Sequence, residues 1–323
     1  MILKITKWLV LIIVFKTMIV MIIAQFYTDP RQDVDARKKL CKAFRPNVVF
    51  IGTSRTLYGV DPAIFDSLNH QQTRSYNFGI FSLSPQVSFQ IADQFISNDP
   101  EVKTIYIELS ALDYNTVALK PDQVFQDAAF RANVMARSSH IDTHDKLSGF
   151  LLGLNTTLFQ MFSIVPQITT IKKMISPVSD PIEGQPELSD NGHQPVALAL
   201  SQINDRILNN KAATQQMLAK HQPVMPNTYY ISRINELIAR ANQAGKKVIL
   251  FYPNNLTKTE SLILSQVAPY LPEQNLIRLP EDQQLNALFK PEHLFDPHHL
   301  NQKGATIYTR FLQKESKKRL DNI

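Results

Sequence analysis

The sequence predicts an α/β fold: a flavodoxin-like, doubly wound parallel sheet of about five strands, with a largely helical insertion and an N-terminal transmembrane helix. Three observations predict it. Short apolar, β-branched runs at 47–51, 74–79, 103–109, 247–252 and 275–279 alternate with amphipathic stretches of helical period. Between residues 112 and 226 that alternation stops. Residues 8–26 are nearly all apolar, with Lys16 the only charge.

Taken in order, residues 1–28 are an anchor or an export signal. Lys4 and Lys7 precede the apolar run and favour an N-terminus on the cytoplasmic side. The stretch is longer than a usual signal core, so an uncleaved anchor is preferred over cleavage near Ala24. Lys16 is expected to snorkel or to face a partner helix. Residues 29–46 read as a polar linker with helical charge patterning. Residues 47–111 form the first part of the sheet domain, with helices expected at 63–68 and 85–97. The insertion, 112–226, carries a helix at 122–138 and an uncharged helix at 147–162. Burial is the expectation for that second helix, and covering the site or touching the membrane are its alternatives. Residues 176–195 are rich in Pro, Asp, Gly and Ser and read as a loop, followed by a polar helix over 196–221. Residues 227–323 return to the sheet fold, with helices at 228–244, 257–271, 282–289 and 302–320. Gly245 is placed to cap the first of these.

The chain has 323 residues, enough for one large domain with an insertion. Its net charge of +6 suits a protein lying against an anionic membrane surface. The basic residues are dispersed without interleaved aromatics, which excludes the common nucleic-acid modules. Cys41 is the only cysteine, so no intrachain disulfide forms. No CxxC or His-x-x-x-His spacing points to a metal, and no cofactor is implied.

Chemistry concentrates at the two ends of the sheet domain. Near its start, Gly52-Thr-Ser54 follows the first strand and precedes a helical turn. A serine there stands at the sheet edge, where an open α/β fold places a nucleophile; it also fits an N-cap. Near the chain's end, Asp296-Pro-His-His299 comes just before a helix. The spacing lets the Asp296 carboxylate orient the His299 imidazole. By the same spacing His299, rather than His298, is the base. Arg55, directly after the serine, is a candidate for binding an anionic substrate group, or else a surface residue.

With those residues the sequence resembles the SGNH/GDSL hydrolase superfamily, in which the nucleophilic serine follows the first strand and Asp-x-x-His closes the fold. The Asp-Pro-x-His-Leu-Asn form with a following Gly-Ala is similar to its membrane-anchored periplasmic branch. That branch includes alginate O-acetyltransferases and the D-alanine-transfer protein of teichoic acids. The resemblance implies an exported serine esterase or O-acyltransferase with Ser54, His299 and Asp296 as its triad. The substrate would be an acyl ester or envelope glycan, and a membrane-bound acyltransferase would be a partner. It also implies an oxyanion donor in the second family block, where Asn77-Phe-Gly79 stands; the Gly79 N–H is that candidate, with Asn77 beside it. The third block departs from the family: Glu108-Leu-Ser-Ala-Leu-Asp-Tyr-Asn115 replaces Gly-x-Asn-Asp. Asn115, Ser110 and Asn77 are the available substitutes. A catalytically weak scaffold on the same fold is the alternative function.

Overall fold

The computed structural model describes residues 2–110, 121–138, 161–175, 188–217, 225–280 and 282–320, and between 139 and 160 only 147, 150, 151, 154 and 155. Five strands form one all-parallel sheet: β1 (Val48–Gly52), β2 (Ser75–Gly79), β3 (Thr104–Glu108), β4 (Lys247–Phe251) and β5 (Leu276–Ile277). Their order is β2-β1-β3-β4-β5, the doubly wound arrangement expected from the sequence. The order reverses direction between β1 and β3, and a cleft opens beyond the strand ends at such a point.

Side-chain alternation divides the strands between two apolar layers. Val49, Ile51, Ile105, Ile107, Val248 and Leu250 face one core, which is closed by α2 (Val34–Phe44), α5 (Pro85–Asn98) and α9 (Thr228–Gln243). Val48, Phe50, Tyr106, Ile249 and Phe251 face the other, closed by α4 (Pro62–Leu68), α11 (Asp282–Leu288) and α12 (Gln302–Leu320). Phe50 and Tyr106 stack across β1 and β3 with centroids 4.5 Å apart. Both faces of the sheet are covered, which explains why its strands read as continuous apolar runs.

The chain between the apolar helix α1 (Ile2–Phe26) and β1 is not a free linker. Helix α2 puts Val34 and Cys41 into the core and buries Arg37 completely. Arg37 donates to the Gly79 carbonyl at 2.6 Å and to the Gly192 carbonyl at 3.0 Å. The rest of the sheet domain's first part is completed by α3 (Ser54–Gly59).

The insertion contains α6 (Pro121–Ala136), α7 (Val165–Ile175) and α8 (Asp205–Gln216). Helix α8 starts nine residues later than the sequence pattern suggests, behind Asn204, whose side chain accepts from the Ile207 N–H. The residues before it form a packed strap. Asn77 N–H donates to the Asn191 carbonyl, Gln194 N–H to the Leu57 carbonyl, and Gln302 N–H to the Val196 carbonyl. Val196 joins Leu57, Tyr58 and Phe295 in a small apolar cluster. Gly192 has φ +81°, and a Cβ there would fall 2.2 Å from the Asn77 carbonyl oxygen. Tertiary packing overrides local propensity in this strap. The helix expected over 257–271 is also shorter: α10 spans Lys258–Leu264, and Pro269 stands in a separate 3₁₀ turn.

Candidate active site

β1 ends at Gly52, and Thr53 caps α3 by accepting from the Arg55 N–H. Ser54 is therefore the first residue of α3, and its N–H lies outside the helical hydrogen-bond ladder. From Val48 to Val60, Ser54 alone is not buried. Its hydroxyl lies 2.7 Å from Nε2 of His299, across 245 residues of chain. His299 Nδ1 lies 2.7 Å from Oδ2 of Asp296. Asp296 Oδ1 accepts the N–H groups of His298 at 2.7 Å and His299 at 2.9 Å. Burial pushes the Asp296 carboxyl upward, but these hydrogen bonds outweigh it and hold the carboxyl below its ordinary pKa. An ionised carboxylate at Nδ1 assigns the proton to that nitrogen, so the Nε2 lone pair faces Ser54. The three residues read from the sequence as a triad are thus brought together. The ring is also fixed sideways: Phe295 stacks on it at 5.5 Å and Tyr58 meets it edge-on at 5.2 Å.

His298 lies beside this array. The Asn210 amide donates to its Nδ1 at 3.1 Å. Burial, with Arg206 and His299 nearby, lowers its pKa to about 4. It is a neutral ring held by Asn210 and makes no hydrogen bond to Ser54.

The other expected site residues have different roles. Gly79 N–H donates to Asn77 Oδ1 at 2.8 Å, so it is not turned toward an oxyanion. A Cβ on Gly79 would lie 2.3 Å from Leu57 N, so this glycine lets β2 press against α3. Asn77 is fully buried, and its amide donates to the carbonyls of Thr56 and Val60, both at 2.7 Å. It therefore satisfies the C-terminal carbonyls of α3 and binds no substrate. Arg55 is neither a surface residue nor open to substrate. It is 2% exposed and pairs with Glu260 at 2.7 Å and Glu108 at 3.1 Å. Ser110 is buried and its hydroxyl has no hydrogen-bond partner among the described residues. Asn115 lies outside the described residues.

Glu108 is the part of the site that sequence reasoning missed. It is the last residue of β3, with its side chain wholly buried. Its carboxylate accepts the Thr53 N–H at 3.0 Å, the Thr53 hydroxyl at 2.8 Å and the Thr56 hydroxyl at 2.5 Å. Together with Arg55, every residue flanking Ser54 is tied to this one group. Gly52 makes the room: a Cβ there would fall 2.5 Å from Glu108 Oε2. The arrangement reaches the base as well. Arg55 donates to the Asn255 carbonyl at 2.8 Å, and the Asn255 amide donates to the His298 carbonyl at 2.7 Å. A carboxylate ending an otherwise apolar strand was the available signal. Among the described residues, no group of three or more His, Cys, Asp or Glu is placed to hold a metal ion.

No protein-family model, curated protein or solved structure matches this chain.

Proposed function

We propose that the protein is a serine esterase or O-acyltransferase of the SGNH type, acting on an acyl ester or glycan of the cell envelope. The carrying observation is the Ser54–His299–Asp296 alignment, with 2.7 Å at each link. Ser54 Oγ attacks the acyl carbonyl as its proton passes to His299 Nε2. The tetrahedral intermediate collapses, the C–O bond to the leaving alcohol breaks, and His299 returns the proton to that alcohol. Water or a sugar hydroxyl then gives its proton to His299 and attacks the acyl-Ser54 ester; the acyl–Oγ bond breaks, and His299 returns the proton to Ser54 Oγ. Water makes the protein a hydrolase, and a sugar makes it a transferase. Asp296 keeps the proton on Nδ1 and stabilises the imidazolium. The Ser54 N–H, at the positive end of α3, is the backbone donor for the oxyanion.

The apolar helix α1 supports a single-pass inner-membrane protein, and the lysines before it support a domain on the periplasmic side. An acyl donor carried by a membrane-bound acyltransferase would suit that placement. A second reading, a weakly active scaffold for such an acyltransferase, is favoured by one observation: neither Asn77 nor Gly79 offers its hydrogen to an oxyanion. Labelling with a fluorophosphonate separates the two. Wild type should form a covalent adduct that Ser54→Ala does not. Equal labelling of both would defeat the nucleophile assignment, and labelling of neither would favour the scaffold.

A further inference from the structure

From residue 147 to residue 171 the chain contains no Asp, Glu, Lys, Arg or His. A helix of that composition is expected to be buried. Several of its described apolar side chains are not. Leu147, Phe150 and Leu151 stand at helical spacing and are 62%, 39% and 56% exposed. On α7, Ile168, Ile171 and Ile175 recur at i, i+3 and i+7, and all three are exposed as well. Apolar faces of this kind mark a surface that something else covers.

The neighbour of α7 identifies that cover. Helix α7 packs against α1. The half-buried positions of α1 are Ile13, Lys16, Ile19 and Ile23, one stripe at helical spacing, and its other apolar side chains are exposed. Helix α1 has 25 residues, and an 18-residue window within it has a mean hydropathy of 2.5, which suffices to cross the hydrocarbon core of a bilayer, about 30 Å thick. A helix lying against it shares its surroundings. The charges agree: α7 has no acidic residue, and Lys172 and Lys173 come only in its last turn. Lys16, the one charge within residues 8–26, lies on the half-covered stripe and not on the open side of α1.

We infer that Leu147, Phe150, Leu151 and the exposed face of α7 enter the lipid beside α1 as a second membrane contact. One helix alone would leave the sheet domain free to swivel. Two contacts fix its orientation over the bilayer. The inference rests on α1 lying in the membrane and is independent of the chemistry at Ser54.

Site-directed spin labelling of the full chain in phosphatidylethanolamine–phosphatidylglycerol vesicles tests it. Cys41 is 1% exposed, so an introduced cysteine is the reactive one. Labels go at Leu151→Cys and Ile171→Cys, with Val14→Cys on α1 and Ser232→Cys on the exposed side of α9 as references. Labels at 14, 151 and 171 should relax more with oxygen than with a water-soluble nickel chelate, and the label at 232 should show the reverse. If 14 reports lipid while 151 and 171 behave like 232, the second contact does not exist. Labels at 151 and 171 shielded from both reagents would mean that protein covers the face, either a second copy or a partner, and would overturn it equally. An aqueous label at 14 would remove the span and the inference with it.

Discussion

The Asp296 carboxylate accepts three hydrogen bonds, two from the N–H groups of residues 298 and 299 and one from the His299 ring. An amide there can still accept the backbone N–H groups at Oδ1. Its NH₂ would face Nδ1 and force the proton to Nε2, so that the ring can no longer deprotonate Ser54. Asp296→Asn is therefore expected to fold normally and to lower the rate of fluorophosphonate labelling by about four orders of magnitude. His299→Ala should lower it comparably, whereas His298→Ala should leave most of it; the reverse ranking would overturn the choice of base. His298 has a different signature. Its folded pKa is lowered from 6.5 to about 4 by burial, so the unfolded chain binds its proton more tightly. Its contribution is thus full above pH 6.5 and is lost as pH falls from there toward 4. His298→Asn should flatten the decline of thermal stability between pH 6.5 and pH 4.5, read as Tm against pH. An unchanged slope would mean that other groups set it.

Helix α3 has six residues, too few to persist alone, yet it carries Ser54, the proposed nucleophile. Both of its ends are held by neighbouring strands. Glu108 of β3 grips the N-terminal end through Thr53, Arg55 and Thr56, and Asn77 of β2 grips the carbonyls at the C-terminal end. Asn77→Ala takes the side-chain partner from the Val60 carbonyl and the Gly79 N–H, while the Thr56 carbonyl keeps the Val60 N–H, and should cost about 1–3 kcal/mol for each group stranded. Glu108→Gln turns an amide donor toward groups that are themselves donors and removes one of the two carboxylates paired with Arg55. Arg55 stays paired with Glu260, so the expected cost is that of the lost charge-assisted hydrogen bonds, about 1.5–3 kcal/mol. Urea denaturation would measure both, and a loss under about 1 kcal/mol in either would show that α3 is held by packing alone. The strands, the flanking helices and the meeting of Ser54, His299 and Asp296 were legible because each is written in local pattern: apolar runs, 3.6-residue periodicity, and Asp-x-x-His spacing. The roles of Asn77, Gly79 and Arg55 were not. Spacing can place a residue at a strand end or a helix start, but it does not say whether the side chain turns outward to a ligand or inward to the adjacent backbone. That choice is made by β2 and β3 lying on either side of β1, a long-range fact.

Over the whole molecule, the site is assembled from the two ends of one sheet domain. Ser54 stands on the first strand's exit and His299 just before the last helix, with the insertion's strap between them. Val196 and Phe295 pack beside Leu57 and Tyr58, so the strap joins the helix that carries Ser54 to the loop that carries His299. The strap was illegible for that reason: residues 188–203 take their shape from surfaces at both ends of the chain rather than from their own pattern. Its consequence is cooperativity. No segment smaller than the sheet domain brings Ser54 within reach of His299, so reactivity should vanish with global unfolding and not before it. In urea, the labelling rate and the far-UV helical signal of the sheet domain should fall with the same midpoint. Trp8 lies in α1 and is the only tryptophan, so its emission reports the apolar helix and should stay unchanged through that transition in vesicles. Labelling lost at clearly lower urea would mean that the 293–301 loop opens as its own unit. In that case the strap and the Arg55–Asn255–His298 connection would not be coupling the two halves of the site.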